Sequence, residues 1–126
     1  MTVDEIITEL ARAWNAGDST GWGAIFAPDA DFVDVLGRLH HGRDTTVREH
    51  RKIFDTIYRD SKLELQLTES HPIGANLVLM HTTTVLRVPA GPRAGETRAT
   101  QTMLVRDGQI VASHNTIQAD ALPALA

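Results

Sequence analysis

Thr97-Arg98-Ala99-Thr100-Gln101-Thr102-Met103-Leu104-Val105-Arg106-Asp107-Gly108-Gln109-Ile110-Val111-Ala112-Ser113-His114-Asn115-Thr116 is the stretch that decides the fold. Two runs with strand-like composition flank Asp107-Gly108, and an Asp-Gly pair supplies the positive-φ positions of a type I′ hairpin turn. Thr97 to Arg106 and Gln109 to Ala119 therefore read as an antiparallel pair. With Arg106 opposite Gln109, the register sets Leu104 opposite Val111, Thr102 opposite Ser113 and Thr100 opposite Asn115. One face then carries Thr100, Thr102, Ser113 and Asn115. The other carries Gln101, Met103 and Val105 with His114, Ala112 and Ile110.

Moving outward, Leu77 to Val88 is a long β-rich run, joined to this pair by a hairpin tip at 89–95. Leu63, Leu65 and Leu67 alternate with Lys62, Glu64 and Gln66, a strand with one polar face. A turn is expected at His71 to Asn76. The first half of the chain has a different period. Thr2 and Glu5 have capping-box spacing, and Ile7, Leu10, Ala11 and Trp14 recur at helical intervals. Gly17 stops that helix, and Asp18 caps a short second one presenting Trp22, Ile25 and Phe26. Pro28-Asp29 turns the chain into a strand at Asp31 to Val35. After Gly37 and Gly42, Asp44 or Thr45 caps a third helix whose stripe is Val47, His50, Phe54 and Ile57, with Tyr58 alongside. Helix, helix, strand, helix and four antiparallel strands make an α+β fold with the helices on one face of the sheet. Residues 1–126 read as one domain with an ordered core over about 3–119 and a frayed tail at Leu122-Pro123-Ala124.

The bulk numbers narrow the function. With 42% apolar and 22% charged residues, the composition is that of a globular protein. A net charge of −4 with interleaved signs argues against nucleic acid. No cysteine is present, which excludes disulfides, thiolate metal sites and a cysteine nucleophile. The acidic start, Met1-Thr2-Val3-Asp4-Glu5, is unlike a signal peptide, and no segment reaches the length of a membrane span; a cytoplasmic protein is expected. Both sheet faces hold apolar residues while three helices can cover only one. A homodimer through the outer sheet face is the expected cover for the other.

Thr100, Thr102, Ser113 and Asn115, with Thr82 or Thr84 beside them, are polar for a covered sheet face. Such groups converging under apolar helices describe a small-molecule cavity, although cross-strand hydrogen bonding would also account for them. Two ionisable residues belong to the same region, Asp34 at a strand end and His50 on the inner stripe of the third helix. His40-His41 are adjacent on an extended chain and point opposite ways, so a shared metal is not expected. Arg43-Asp44 reads as a turn and cap, and Arg93 and Arg98 as solvated surface.

Trp14-Asn15-Ala16-Gly17-Asp18, Phe26-Ala27-Pro28-Asp29-Ala30-Asp31-Phe32-Val33-Asp34, Gly42-Arg43 and the closing His114-Asn115-Thr116 resemble the SnoaL-like, nuclear transport factor 2-like superfamily. More narrowly, the chain is similar to its SgcJ/EcaC group, small proteins often encoded in natural-product gene clusters. The resemblance covers almost the whole chain. It implies a cone: a curved antiparallel sheet wrapped round three N-terminal helices, open at one end and usually dimeric. Nothing resembles a nicotinamide or flavin motif, so neither a cofactor nor a metal is implied.

The superfamily includes ketosteroid isomerases, polyketide cyclases, dehydratases, epoxide hydrolases and binding proteins. Asp34-Val35-Leu36-Gly37 falls where ketosteroid isomerases carry their general base, which gives Asp34 that candidate role. The tyrosine and protonated aspartic acid of their oxyanion hole are replaced by Leu10 and Thr102. Asn115 stands where SnoaL-like cyclases carry an aspartate, and an amide orients a carbonyl without taking its proton. The resemblance thus implies two alternatives. One is cofactor-free proton transfer on a polyketide-like or other carbonyl-bearing metabolite, with Asp34 and His50 as acid and base. The other is a binding protein for a hydrophobic metabolite. In either, Trp14, Phe26, Phe32, Phe54 and Tyr58 form the apolar wall. Thr82, Thr84, Thr100, Thr102, Ser113 and Asn115 orient the ligand.

Overall fold

A computed structural model describes residues 1–118; the end of the expected last strand at Ala119 and the tail at 122–124 lie outside the described residues. The elements are α1 (Val3–Asn15), α2 (Ser19–Gly23), β1 (Phe26–Val33), β2 (Leu39–His41), α3 (Arg43–Asp55), β3 (Lys62–Gly74), β4 (Leu77–Val88), β5 (Gly95–Arg106) and β6 (Gln109–Ile117). They form one curved six-stranded sheet in the order β2-β1-β6-β5-β4-β3, with three helices against its inner face. Every neighbouring pair is antiparallel except β1 and β6, which run parallel. None of the described helices is long and apolar enough to cross a membrane.

The local signals act as their chemistry dictates at most ends. Thr2 and Glu5 form a reciprocal capping box on α1, and the Asp18 carboxylate accepts from the Gly21 amide at 2.8 Å to start α2. Asp107 and Gly108 both have positive φ, as the type I′ turn requires. The turn expected at 71–76 is shorter, because β3 continues through Pro72 to Gly74. Pro72 is tolerated since β3 is the sheet edge, where a missing N–H breaks no ladder on the open side.

Three expectations change. Phe26 is the first residue of β1 rather than the end of α2, and β1 begins five residues before Asp31. The parallel ladder with β6 recruits it: the Ile110 amide donates to the Ile25 carbonyl, and Phe26 lies in register with Ile110. Helix α3 is capped by Gly42 at φ 89°, not by Asp44 or Thr45. The Gly42 amide donates to the Ala30 carbonyl (2.8 Å), fixing the helix start against β1. Arg43 then turns back and donates from Nε and Nη2 to the Phe26 carbonyl, at 2.9 and 2.7 Å. It is a tie between α3 and β1, where a turn-and-cap pair was expected.

The third change sets the site. Arg106 faces Gln109 as expected, but Val105 pairs with Ile110 while Leu104 pairs with Ala112. Val111 is an extra residue, a β-bulge. Beyond it Met103 lies opposite Ser113, Gln101 opposite Asn115 and Thr102 opposite His114. Ser113 and Asn115 still face inward, but their partners are Met103 and Gln101. Thr100 and Thr102 are exposed on the outer face.

The core lies between helices and sheet. Ile6, Leu10, Ala13 and Trp14 of α1 are buried; Ile7, expected on the stripe, is at its edge. Trp14 donates from Nε1 to the buried Ser61 hydroxyl (2.9 Å) and packs edge-on against Phe54. The Asn15 amide clasps both the N–H and the C=O of Leu63, tying the end of α1 to the edge strand as a further strand would. Gly23 touches the side chain of Val47, leaving no room for a Cβ between α2 and α3. Gly23→Ala is therefore expected to lose about 1–3 kcal/mol of stability. Val47→Ala in the same chain should recover part of the loss, as read by urea denaturation of both variants. Additive losses would refute the contact.

Candidate functional site

The curvature of the sheet leaves a cavity of about 190 Å3 between β3–β6 and the helices. Small residues of the sheet wall, Ala99 and Ser113, face large rings from the helices and β1, including Trp14, Trp22, Phe26 and Phe32. Asp34, Leu36 and Arg38 on one side, and Arg93 on the other, form its rim.

Most of the expected residues meet there. Trp14, Phe26, Phe32, Tyr58, Thr84, Ser113, Asn115, Asp34 and His50 all line the cavity. Phe54 stands behind Trp14 in the core, and Thr82 is buried behind Gln101. Thr100 and Thr102 are excluded because they alternate along β5 with the buried Ala99, Gln101, Met103 and Val105 and so point outward, where the Thr102 hydroxyl lies 3.3 Å from His81 Nδ1. His81 and His114 share that outer face, on either side of Thr102. His40 and His41 diverge as adjacent strand residues must, His40 to Asp34 (2.9 Å) and His41 to Asp31 (2.6 Å). Arg93 is not loose surface: it reaches the Tyr58 hydroxyl at 3.3 Å.

Sequence reasoning missed Gln101, His40 and Thr46. Gln101 shares a face with Met103 and Val105 as the alternation predicts, but that face is the inner one and not the outer one expected. Its amide organises the sheet wall. Thr82, 1% exposed, has Gln101 Oε1 as its one side-chain partner among the described residues at 2.7 Å, so its hydroxyl donates there or buries a hydrogen without an acceptor. That orients the amide. Gln101 Nε2 then donates to Thr84 Oγ1 (2.9 Å) and to Asn115 Oδ1 (2.8 Å). Each oxygen is engaged by Gln101 from within the same wall, and the Thr84 hydroxyl hydrogen and the Asn115 amide hydrogens are available as donors for the cavity.

Asp34 has the opposite character. Oδ1 accepts from the Leu36 and Arg38 amides at 2.9 and 3.0 Å, and Oδ2 from Arg38 Nε and His40 Nε2, both at 2.9 Å. Partial burial favours the neutral acid, but the hydrogen bonds from His40, Arg38 and Leu36 together outweigh it and lower the pKa to about 2. The carboxylate is an ionised hub with its lone pairs engaged, and a weak base.

His50 is buried, with Trp22 stacked on it at 5.1 Å and Phe32 edge-on at 5.3 Å. Its Nδ1 lies 2.8 Å from the Thr46 carbonyl, an acceptor, so Nδ1 carries the proton and Nε2 the lone pair. Burial pushes its pKa down to about 4, against the smaller raising effect of the Thr46 carbonyl; the nearby His40 lowers it further, and Glu49 and Asp34 oppose. The ring is neutral at pH 7.

A curved sheet closed on one side by helices and hollow at its open end defines a cone-shaped pocket protein of the nuclear transport factor 2-like class. The family profile for the SnoaL-like domain matches residues 7–113, and the chain belongs to that family. No curated protein matches. Among solved structures, an uncharacterised Caulobacter vibrioides protein with a cystatin-like fold is 30% identical, with TM-score 0.80 over 98% of this chain and 94% of that one. A Catenulispora acidiphila protein with a ketosteroid isomerase-like fold, in complex with trimethylamine, is 18% identical, with TM-score 0.66 over 90% and 85%. The Anabaena orange carotenoid protein binding canthaxanthin is 16% identical, with TM-score 0.74 over 90% of this chain and 36% of that one.

The two ionisable groups give separate pH windows. The His50 pKa is depressed in the folded state, so between pH 6.5 and about 4 the unfolded chain takes up a proton that the fold refuses. Stability falls as pH drops through that range, by on the order of 3 kcal/mol from this group. The Asp34 contribution is present above pH 3.8 and lost as pH falls through about 2. Urea unfolding of wild type and His50→Phe at pH 7 and pH 4.5 isolates the first effect. The variant should lose less stability on acidification, and equal losses would contradict the burial argument.

Proposed function

We propose that the protein binds a small hydrophobic metabolite bearing a hydrogen-bond acceptor, such as a carbonyl, in this cavity. The carrying observation is the directed row Thr82–Gln101–Thr84/Asn115, which presents the Thr84 hydroxyl and the Asn115 amide as donors at a largely apolar wall. Two proteins with a similar fold bind small molecules, the orange carotenoid protein canthaxanthin and the Catenulispora acidiphila protein trimethylamine, which supports a binding role for this cone. Placement in the SgcJ/EcaC group, and with it polyketide-type secondary metabolism and a cytoplasmic location, belongs to the same reading and rests on the sequence motifs. So does a homodimer. Leu77, Leu79 and Leu104 form a half-buried apolar strip on the outer sheet face, away from the Arg87–Glu64 and Arg87–Glu96 ion pairs.

A cavity of this size is near that of an engineered apolar cavity of about 150 Å3 that takes benzene. It suits one or two rings, and a larger ligand would extend past the rim. The probe is accordingly 2-tetralone, with tetralin as the analogue lacking the carbonyl. Wild type should bind 2-tetralone more tightly by calorimetry, and Asn115→Leu should remove most of the difference, about tenfold for a lost hydrogen bond in a closed site. Ala99→Phe, which places a ring in the cavity, should abolish binding of both. Unchanged affinity in Ala99→Phe would sink the reading.

Proton transfer is the second reading, and one geometry favours it. Asp34 holds His40 through Nε2 at the rim, as a carboxylate orients an imidazole base, while His50 supplies a neutral nitrogen deeper in. Asp34 then acts as the orienting carboxylate instead of the base its position implies in ketosteroid isomerases. Exchange of the α-protons of 2-tetralone into D2O, followed by NMR, tests it. Acceleration over buffer that disappears in His40→Gln supports the dyad, and no acceleration by wild type ends it.

A further inference from the structure

At the helical end of the cavity, three neighbouring residues carry polar groups that do not satisfy one another. Thr46 and His50 lie one turn apart on α3, so their side chains share a face. The Trp22 ring from α2 stacks on the His50 ring at 29°. Trp22 Nε1 and Thr46 Oγ1 are buried polar atoms with no hydrogen-bond partner among the described residues. Trp22 is 7% exposed, Thr46 1% and His50 5%, and all three line the cavity. With Nδ1 protonated and engaged by the Thr46 carbonyl, His50 offers Nε2 as an acceptor. The cluster therefore comprises a donor that cannot accept, an acceptor that cannot donate, and a hydroxyl that does both. Buried polar groups are almost always paired, and these two unpartnered atoms belong to residues that line the cavity.

From this arrangement we infer a hydroxyl-recognition subsite, formed by Trp22, Thr46 and His50, that takes the hydroxyl of a phenol or a cyclic alcohol. The inference rests on the binding reading above and specifies the ligand at its other end. A hydroxyl donates to His50 Nε2 and accepts from Trp22 Nε1–H and the Thr46 hydroxyl, satisfying each group at once. A ketone or ether oxygen accepts only and leaves His50 unpaired. An ammonium donates only and leaves Trp22 unpaired. The flat aromatic surroundings, Trp14, Phe26 and Phe32, favour a planar or near-planar ring carrying that hydroxyl. The ligand class is then a one- or two-ring compound with a hydroxyl towards the helices and an acceptor towards Thr84 and Asn115.

The test uses 2-naphthol and 2-fluoronaphthalene, which match in shape and differ in the ability to donate. Calorimetry on wild type should give about tenfold tighter binding of 2-naphthol. Thr46→Val keeps the side-chain shape and removes the orphan hydroxyl, so the ligand-free variant should melt at a higher temperature than wild type. It should also bind 2-naphthol several-fold more weakly with 2-fluoronaphthalene unchanged. Trp22→Phe should have the same selective effect on affinity. Equal binding of the two probes by wild type, or an equal loss of both in Thr46→Val, overturns the subsite and leaves the pocket reading standing. Failure of wild type to bind either probe overturns the pocket reading and the subsite together.

Discussion

One inserted residue, Val111, decides which chemistry the sheet presents to its interior. A regular ladder from the buried Val105–Ile110 pair would set Ala112 and His114 beside Met103 and Gln101 on the inner face, with Ser113 and Asn115 outside. The bulge turns Ser113 and Asn115 inward, opposite Met103 and Gln101. Gln101 is long enough to reach both neighbouring strands, so a single side chain joins β4, β5 and β6 on the buried face. A buried amide is costly unless both its ends are used. Here the oxygen takes the Thr82 proton and the nitrogen gives both of its own. The row is therefore rigid and directional, and its direction gives the cavity donors on that wall.

The helical wall is fixed by ties of a different kind, each between a side chain and a backbone group. Asn15 clasps Leu63 and sets α1 against the edge strand. Arg43 holds the Phe26 carbonyl, and the Gly42 amide holds Ala30, so α3 is anchored at its first turn to β1. These ties leave the middle of α3 free to face inward, and that is where Thr46 and His50 lie. The aromatic rings around them meet mostly edge to face, Trp14 with Phe54 at 89° and Phe32 with His50 at 77°. With both walls held from behind, the space between them does not depend on a ligand to stay open.

Much of this was legible in the sequence, and the failures share one cause. The capping box at Thr2, the cap at Asp18, the Asp107-Gly108 turn and the inward placement of His50 follow from interactions within a few residues of one another. The parallel pairing of β1 with β6 and the bulge at Val111 do not. Nothing near Phe26 announces that its strand partner lies more than eighty positions away. Val111 is as good a regular strand residue as any, and no glycine marks the bulge. The pairing of Gln101 with Asn115 is a consequence of that single unmarked residue, while the outward placement of Thr100 and Thr102 follows from which face of β5 the helices cover. His40 was visible as half of a pair, but its partner Asp34 depends on the turn at Leu36-Gly37 that brings β2 back beside β1. The family resemblance supplied the cone and the position of Asp34. It could not supply the four hydrogen bonds that occupy that carboxylate.

Those four bonds bear on what the pocket can do. A general base must hold a free lone pair and a proton affinity near the working pH. Asp34 has neither, because its surroundings stabilise its charged form. His50 has the free lone pair, but burial stabilises its neutral form. The charge thus remains at the rim, with Asp34 and its partner Arg38, and the floor is neutral and polar. A ligand entering such a cone loses little electrostatic energy as its apolar body moves inward, since it displaces no buried ion. Its polar ends then meet hydrogen-bonding partners already oriented by the protein, which keeps the ordering cost of binding small. That division of labour between a charged rim and a neutral floor is what recognition of an uncharged molecule requires. It also moves any proton chemistry away from the depth of the pocket and towards His40 at its mouth.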